Sequence, residues 1–186
     1  MLLRYTTPAI ILHWLIAVGI LGNIVLAWTW PYLADNHVRP LIDVHKSIGI
    51  TVLGLAILRL LWRFAHRPPP LPETYRSWER TMSHVVHRAL YFIMFAMPLS
   101  GWIMDSAYKD ATTHPMAYFG LFEWPRIGAI LHLDPALKVR VHDLAGAAHA
   151  FGAYALYALV FLHVGGALKH EWLDREREIG RMWFGA

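Results

Sequence analysis

The chain has 186 residues, 56% hydrophobic and 16% charged, where an average soluble domain carries about 25% charged residues; with a mean hydropathy of +0.36 it reads as one integral membrane domain spanning 1–186. It has no cysteine, which excludes disulfides, Fe–S clusters, zinc ribbons and the C-x-x-C-H attachment of a covalent c-type haem. The net charge of +4 fits the cytoplasmic loops of a membrane protein and not a nucleic-acid partner, and the unusual count is histidine, 12, dispersed and partly inside apolar runs.

Four apolar runs predict transmembrane helices at about 9–29, 41–63, 84–104 and 144–168. The first, AIILHWLIAVGILGNIVLAW, holds His13 and Asn23, with Trp14, Trp28 and Trp30 at positions suited to interfacial aromatic belts. It follows one positive charge and has no convincing small-residue cleavage site, so it is expected to stay as a helix and not be removed as a signal. Pro31 ends it, and a loop is expected from Pro31 to Pro40. The second run, LIDVHKSIGITVLGLAILRLLW, places His45 beside Asp43 and Lys46 and closes on Arg59 and Arg63. HRPPPLPETYRSWER then reads as an extended connection of polyproline character.

The third run, HVVHRALYFIMFAMPLSGWIM, carries His84 and His87 at i, i+3, hence on one face, and Pro98, where a kink is expected. A longer outer loop of 105–140 separates the third and fourth helices. It includes YFGLFEW and a short apolar piece, IGAILHL, expected to form a re-entrant or interfacial helix. The final EWLDREREIGRMWFGA reads as a charged surface tail. Arg4, Arg63, Arg67, Arg76, Arg80, Arg175, Arg177 and Arg181 then favour an N-in, C-in orientation of the four-helix bundle.

The fourth run, between His142 and His170, organises the rest. From Leu144 to Leu168 it has no acid, lysine or arginine, yet it holds His149 and His163. Ionisable residues inside a membrane span are costly and point to function. The two lie 163 − 149 = 14 residues apart, which puts them within about 40° of one helix face and about 21 Å apart along the axis. In an antiparallel bundle, His13 shares the depth of His163 near the cytoplasmic side, and His45 shares the depth of His149 near the outer side.

Two imidazoles facing each other, twice, suit two bis-histidine haems of b type, because haem iron takes axial nitrogens from opposite faces. Zinc would want four tetrahedral ligands, and neither depth supplies carboxylates or thiolates. Gly146, Ala147, Ala148, Gly152, Ala153, Gly165 and Gly166, with Gly19, Gly49 and Gly54, are expected to leave room for the macrocycle. His142 competes with His149 from the membrane edge. His84 and His87 compete with His13 or His163 as ligands and are otherwise propionate or quinone contacts.

HW at 13–14, RPLIDVHKSIGI at 39–50, the arginine-rich end of the second run, HVVHRALY at 84–91, MPLSGWIM at 97–104, H-x13-H at 149–163, His170 and RM at 181–182 follow in the order of the prokaryotic cytochrome b561 family, which the chain resembles along almost its whole length. More distantly it resembles the cytochrome b subunits of nickel–iron hydrogenases and formate dehydrogenases. The resemblance implies an all-α, di-haem four-helix protein of the bacterial inner membrane, with His13, His45, His149 and His163 as axial ligands. It also implies electron transfer from a periplasmic donor to ubiquinone or another quinone. For a free-standing member it points to superoxide as donor, hence a superoxide:quinone oxidoreductase. The expected quinone contacts are His170, His84 and His87; similar proteins often have two adjacent histidines where this chain has His170 and Glu171. An anion entry at the outer mouth would use Lys46, Lys138 and Arg140, with Arg126 and Arg39. The alternatives are a haem anchor serving a dehydrogenase or hydrogenase partner protein and a non-redox, histidine-lined membrane carrier.

Overall fold

The computed structural model describes residues 4–184, and among these four helices are long and apolar enough to cross a membrane. Helix α1 runs Thr7–Thr29, with Pro8 in its first turn, where a missing N–H costs nothing. A single 3-10 turn, Trp30–Tyr32, follows it. Helix α2 runs Asp35–Ala65 and contains Pro40, so the loop expected from Pro31 to Pro40 is mostly helix. Pro40 lies in the second turn, where it strips one hydrogen bond from a helix end instead of breaking a helix interior. Helix α3 runs Ser77–Ser106 through Pro98 and starts where the Glu79 carboxylate accepts the Arg76 backbone N–H at 2.8 Å.

Between α3 and the last span lie a two-stranded hairpin, β1 Ala117–Tyr118 and β2 Phe122–Glu123, and one helical turn, α4 Gly128–Leu131. The hairpin turns at Phe119 and Gly120, both with positive φ, a conformation that suits Gly120. The buried Ser47 of α2 accepts the Phe119 N–H at 2.9 Å and so fastens the hairpin onto the bundle. The apolar piece IGAILHL forms only that single turn, not a re-entrant helix. Helix α5, Pro135–Trp172, begins nine residues before the apolar run because Asp134 caps it, accepting from Ala136 and Leu137 N–H at 3.1 and 3.0 Å.

The charged tail is not a loose surface segment. Its helical turn α6, Glu178–Arg181, folds under the bundle, and Arg181 donates to the Pro70 carbonyl at 2.6 Å. Arg181 also accepts the Tyr5 N–H at 3.2 Å, and Trp14 donates to the Met182 carbonyl at 2.7 Å. Tyr5, the proline linker and the tail therefore share one end of the bundle, the tail end; the hairpin marks the other.

The spans pack as two close pairs, α1 with α2 and α3 with α5, joined through α2 and α3. Glycine sets the closeness. A Cβ on Gly19 would lie 2.8 Å from Val52, and one on Gly152 would lie 2.6 Å from the Met97 sulfur. These two glycines, and Gly146 under Met104, are filled by neighbouring side chains and leave no room for a macrocycle, contrary to expectation. Ile16, Val52, Ala56 and Met94 form the core between the pairs, while Phe92, Phe151, Tyr154 and Phe161 point outward to lipid. Among the described residues, α5 has no comparable close packing against α1 or α2. Histidine rings bridge that gap.

Candidate functional site

Toward the hairpin end, His45 of α2 faces His149 of α5 with ring centroids 6.1 Å apart. The His149 Nδ1 lies 3.0 Å from the Met97 carbonyl oxygen and 3.0 Å from the Ser100 hydroxyl. A carbonyl only accepts, so Nδ1 carries the hydrogen and Nε2 keeps a bare lone pair. The Ser100 hydroxyl donates its own proton to the Met97 carbonyl at 2.9 Å, which leaves its oxygen free to accept from His149. Gly101 makes the approach possible, since a Cβ there would sit 3.3 Å from the His149 ring. His45 is held differently. Asn23 donates to its backbone carbonyl at 3.2 Å and Trp30 meets its ring edge-on at 5.3 Å. Its Nδ1 is buried without a hydrogen-bond partner, a state that costs about 1–3 kcal/mol when nothing else binds. A cavity of about 310 Å³ opens between the two rings, lined mostly by apolar side chains from all four spans, with Asn23, Lys46 and Trp30 among its walls.

Toward the tail end, His13 of α1 faces His163 of α5 at 5.9 Å. The pairing by depth thus brings together the same partners in space. A third imidazole joins them: His87 of α3 meets His163 edge-on at 5.2 Å. The His87 Nδ1 lies 2.6 Å from the Ser83 carbonyl, so it too carries the hydrogen on Nδ1. His84 is exposed. His142 lies beside Asp143 at 3.3 Å, near Tyr108, and takes no part in the pair with His45.

His170 sits apart from His87, at the foot of α5. Tyr75 stacks on its ring at 3.9 Å, and its Nδ1 is 2.6 Å from Asp174. Lys169 lies between Glu79, at 2.5 Å, and Asp174, at 2.6 Å. The Lys169 ammonium holds the Asp174 carboxyl below its ordinary range, with help from His170, and burial together with a bond to Glu178 raises the Tyr75 hydroxyl. At the opposite mouth, Lys46 pairs with the buried Asp105 at 2.7 Å and with Asp43 at 3.6 Å. Arg126 pairs with the same Asp105 at 2.9 Å and also binds the Ala111 and His114 carbonyls. Lys138 reaches the Leu131 carbonyl at 3.4 Å; Arg39 and Arg140 are exposed. The expected outer cations are therefore partly spent on holding the loop.

The histidine geometry fits a bis-imidazole metal centre. Two metal–nitrogen bonds of about 2.0–2.1 Å plus two ring radii of about 1.1 Å give centroids about 6.3 Å apart. The observed 6.1 and 5.9 Å match at both depths. The gap between α5 and the α1/α2 pair, the cavity and the lone pair set on His149 Nε2 suit a flat macrocycle seated between helices. Sequence reasoning missed Ser100, the Met97 carbonyl, and the clamp of Tyr75, Glu79, Lys169 and Asp174. A hydroxyl one residue before a glycine, inside an apolar run, was the available signal for Ser100.

A four-span bundle with facing imidazoles in its interior defines a membrane haem protein. The prokaryotic cytochrome b561 family model matches residues 4–185, and the chain belongs to that family. It is 32% identical to cytochrome b561 homolog 2 of Escherichia coli (strain K12), over 96% of this chain and 90% of that one. It is 24% identical to the probable superoxide oxidase CybB of Yersinia pestis, over 96% and 95% of the two chains. It is also 24% identical to cytochrome b561 homolog 1 of Escherichia coli (strain K12), over 96% of each. Membership makes it a b-type haem protein of a bacterial membrane and implies transmembrane electron transfer.

Proposed function

We propose that this protein moves electrons from superoxide on the periplasmic side of the inner membrane to a membrane quinone, through two b-type haems. His45 and His149 would hold one haem, and His13 and His163 the other. The observation that carries this reading is the pair of ring separations, 6.1 and 5.9 Å, on residues 14 apart on one helix. The likeness to a probable superoxide oxidase supports the donor. Haem, when bound between these histidines, would supply the one-electron chemistry. The protein supplies the rest. Met97 and Ser100 fix which His149 nitrogen faces the metal position. The largely apolar walls around His45 give the centre a low-dielectric setting, with Lys46 as their charged member among the described residues.

Among the described residues Lys46 is the one Lys or Arg that lines the outer cavity, and it gives an arriving anion a positive wall even though Asp105 and Asp43 share its charge. At the tail end a quinone needs protons as well as electrons, and histidine exchanges protons near neutral pH. His170 is the candidate donor there, oriented by Asp174 through Nδ1 so that Nε2 remains for a quinone oxygen. His87 is half-buried beside His163 and is assigned to the inner haem, not to the quinone; His84, exposed, is the secondary candidate for a quinone contact.

The test mixes purified haem-loaded protein with an enzymatic superoxide source and ubiquinone. The expected result is haem reduction, seen in the b-type absorption bands, and quinol formation above the dismutation background. Superoxide dismutase should abolish both. Reduction that survives the dismutase, or none without an added dehydrogenase, would assign the donor role to a partner protein.

A further inference from the structure

Four arginines converge at the tail end. Arg4, Arg59, Arg63 and Arg67 line a cavity of about 150 Å³ between the start of α1, the end of α2 and the proline linker. Among the described residues no aspartate or glutamate lines it. Two of the guanidiniums are fixed by uncharged groups. Arg59 donates to the Ala9 carbonyl at 2.8 Å, one helical turn below His13. Arg63 stands over the Tyr91 ring with 5.5 Å to its centroid. Ordinary membrane-edge arginines extend singly into water; here the fork of one and the face of another are turned into a shared concavity. Like charges held this close repel each other, so an anion gains what the repulsion costs.

The mouth of the cavity says which anion. Arg63 and Arg67 are exposed there, beside Trp62, whose ring stacks on His66 at 3.9 Å. Tryptophan and arginine at the end of a span mark the headgroup level of the bilayer, where phosphate is the abundant anion. Guanidinium forks match phosphate oxygens in bidentate geometry. We propose that this cavity binds the phosphate of an anionic phospholipid headgroup, making it a resident-lipid site beside the inner histidine pair. Arg63 and Arg67 grip the phosphate from the mouth, and Arg59 forms the deep wall against α1.

The test uses the full-length, haem-loaded protein in nanodiscs of phosphatidylcholine with and without phosphatidylglycerol, read by native mass spectrometry after release. Wild-type protein should carry phosphatidylglycerol in preference to phosphatidylcholine. The Arg63→Gln, Arg67→Gln double variant should hold it roughly tenfold or more weakly, with unchanged haem content. Arg175→Gln, at a residue that does not line the cavity, should behave as wild type. Raising the salt should release the lipid from wild-type protein, which needs no variant to fold. Equal lipid retention by the double variant, or salt-independent retention, overturns the proposal. So does loss of haem in place of lipid, which would assign the arginines to porphyrin carboxylates. Inorganic phosphate that displaces the lipid headgroup in full would make the site one for free phosphate.

Discussion

The two histidine pairs have nearly the same ring separation and quite different surroundings. At the hairpin end, His149 is held by a carbonyl and a hydroxyl that cannot change charge, in a cavity walled mainly by apolar groups. At the tail end, His163 is flanked by a third imidazole, with the Arg59 guanidinium one turn below His13 and the Lys169, His170 and Asp174 clamp further out. The first arrangement fixes the His149 ring with uncharged groups, and Lys46 is the charged residue in the cavity wall beside it among the described residues. The second crowds a ligand with groups that carry or exchange protons. Under the proposed function that asymmetry has a use, because only the end that meets a quinone would have to handle protons.

The largest effect should come from removing one ligand of each pair. His149→Ala and His163→Ala should each halve the haem content, measured by the pyridine haemochrome, while the remaining centre keeps its low-spin spectrum. If His163→Ala alone kept full haem content, His87 would have taken over as ligand and the inner pairing would be His13 with His87. A smaller effect is expected from Ser100→Ala. The Met97 carbonyl still fixes the tautomer, so haem remains, but loss of one second-sphere bond should weaken the outer centre by about tenfold in haem affinity and leave the inner one unchanged. Measuring haem release to an apoprotein acceptor would show whether the loss is confined to one centre.

The smallest effect concerns acid. The Asp174 carboxyl is held below its ordinary value of 3.8 by Lys169 and His170. A lowered folded value means the clamp is at full strength above about 3.8 and is lost as pH falls through the lower, folded value. Spectral change at the inner centre on acidification should therefore begin below that point, and Asp174→Asn should abolish the transition without touching the outer centre.

The spans and the pairing were legible because cost enforces them. A histidine inside hydrocarbon must have a reason, and equal depth on antiparallel helices leaves few partners. What extended the helices was not legible from hydropathy. Asp134 and Glu79 start α5 and α3 outside the apolar runs by capping backbone N–H groups, and Pro40 is tolerated near a helix start. The tail looked solvated because its charges are dense; its place depends on Arg181 finding the carbonyls of a proline linker more than 100 residues away. The glycines were read as open space, but small residues serve close helix packing equally well, and only the partner side chain tells which. Ser100 escaped because a hydroxyl in a membrane helix usually bonds its own backbone, as this one also does with Met97.

Helix α5 carries one histidine of each pair, 14 residues apart and unbroken from Pro135 to Trp172. An insertion or deletion of a single residue between His149 and His163 would rotate one ligand by about 100° against the other and aim it at lipid. Substitutions along that segment are tolerable; changes of its length are not. The reading frame of one helix thus serves as the gauge that keeps two distant histidine pairs in phase.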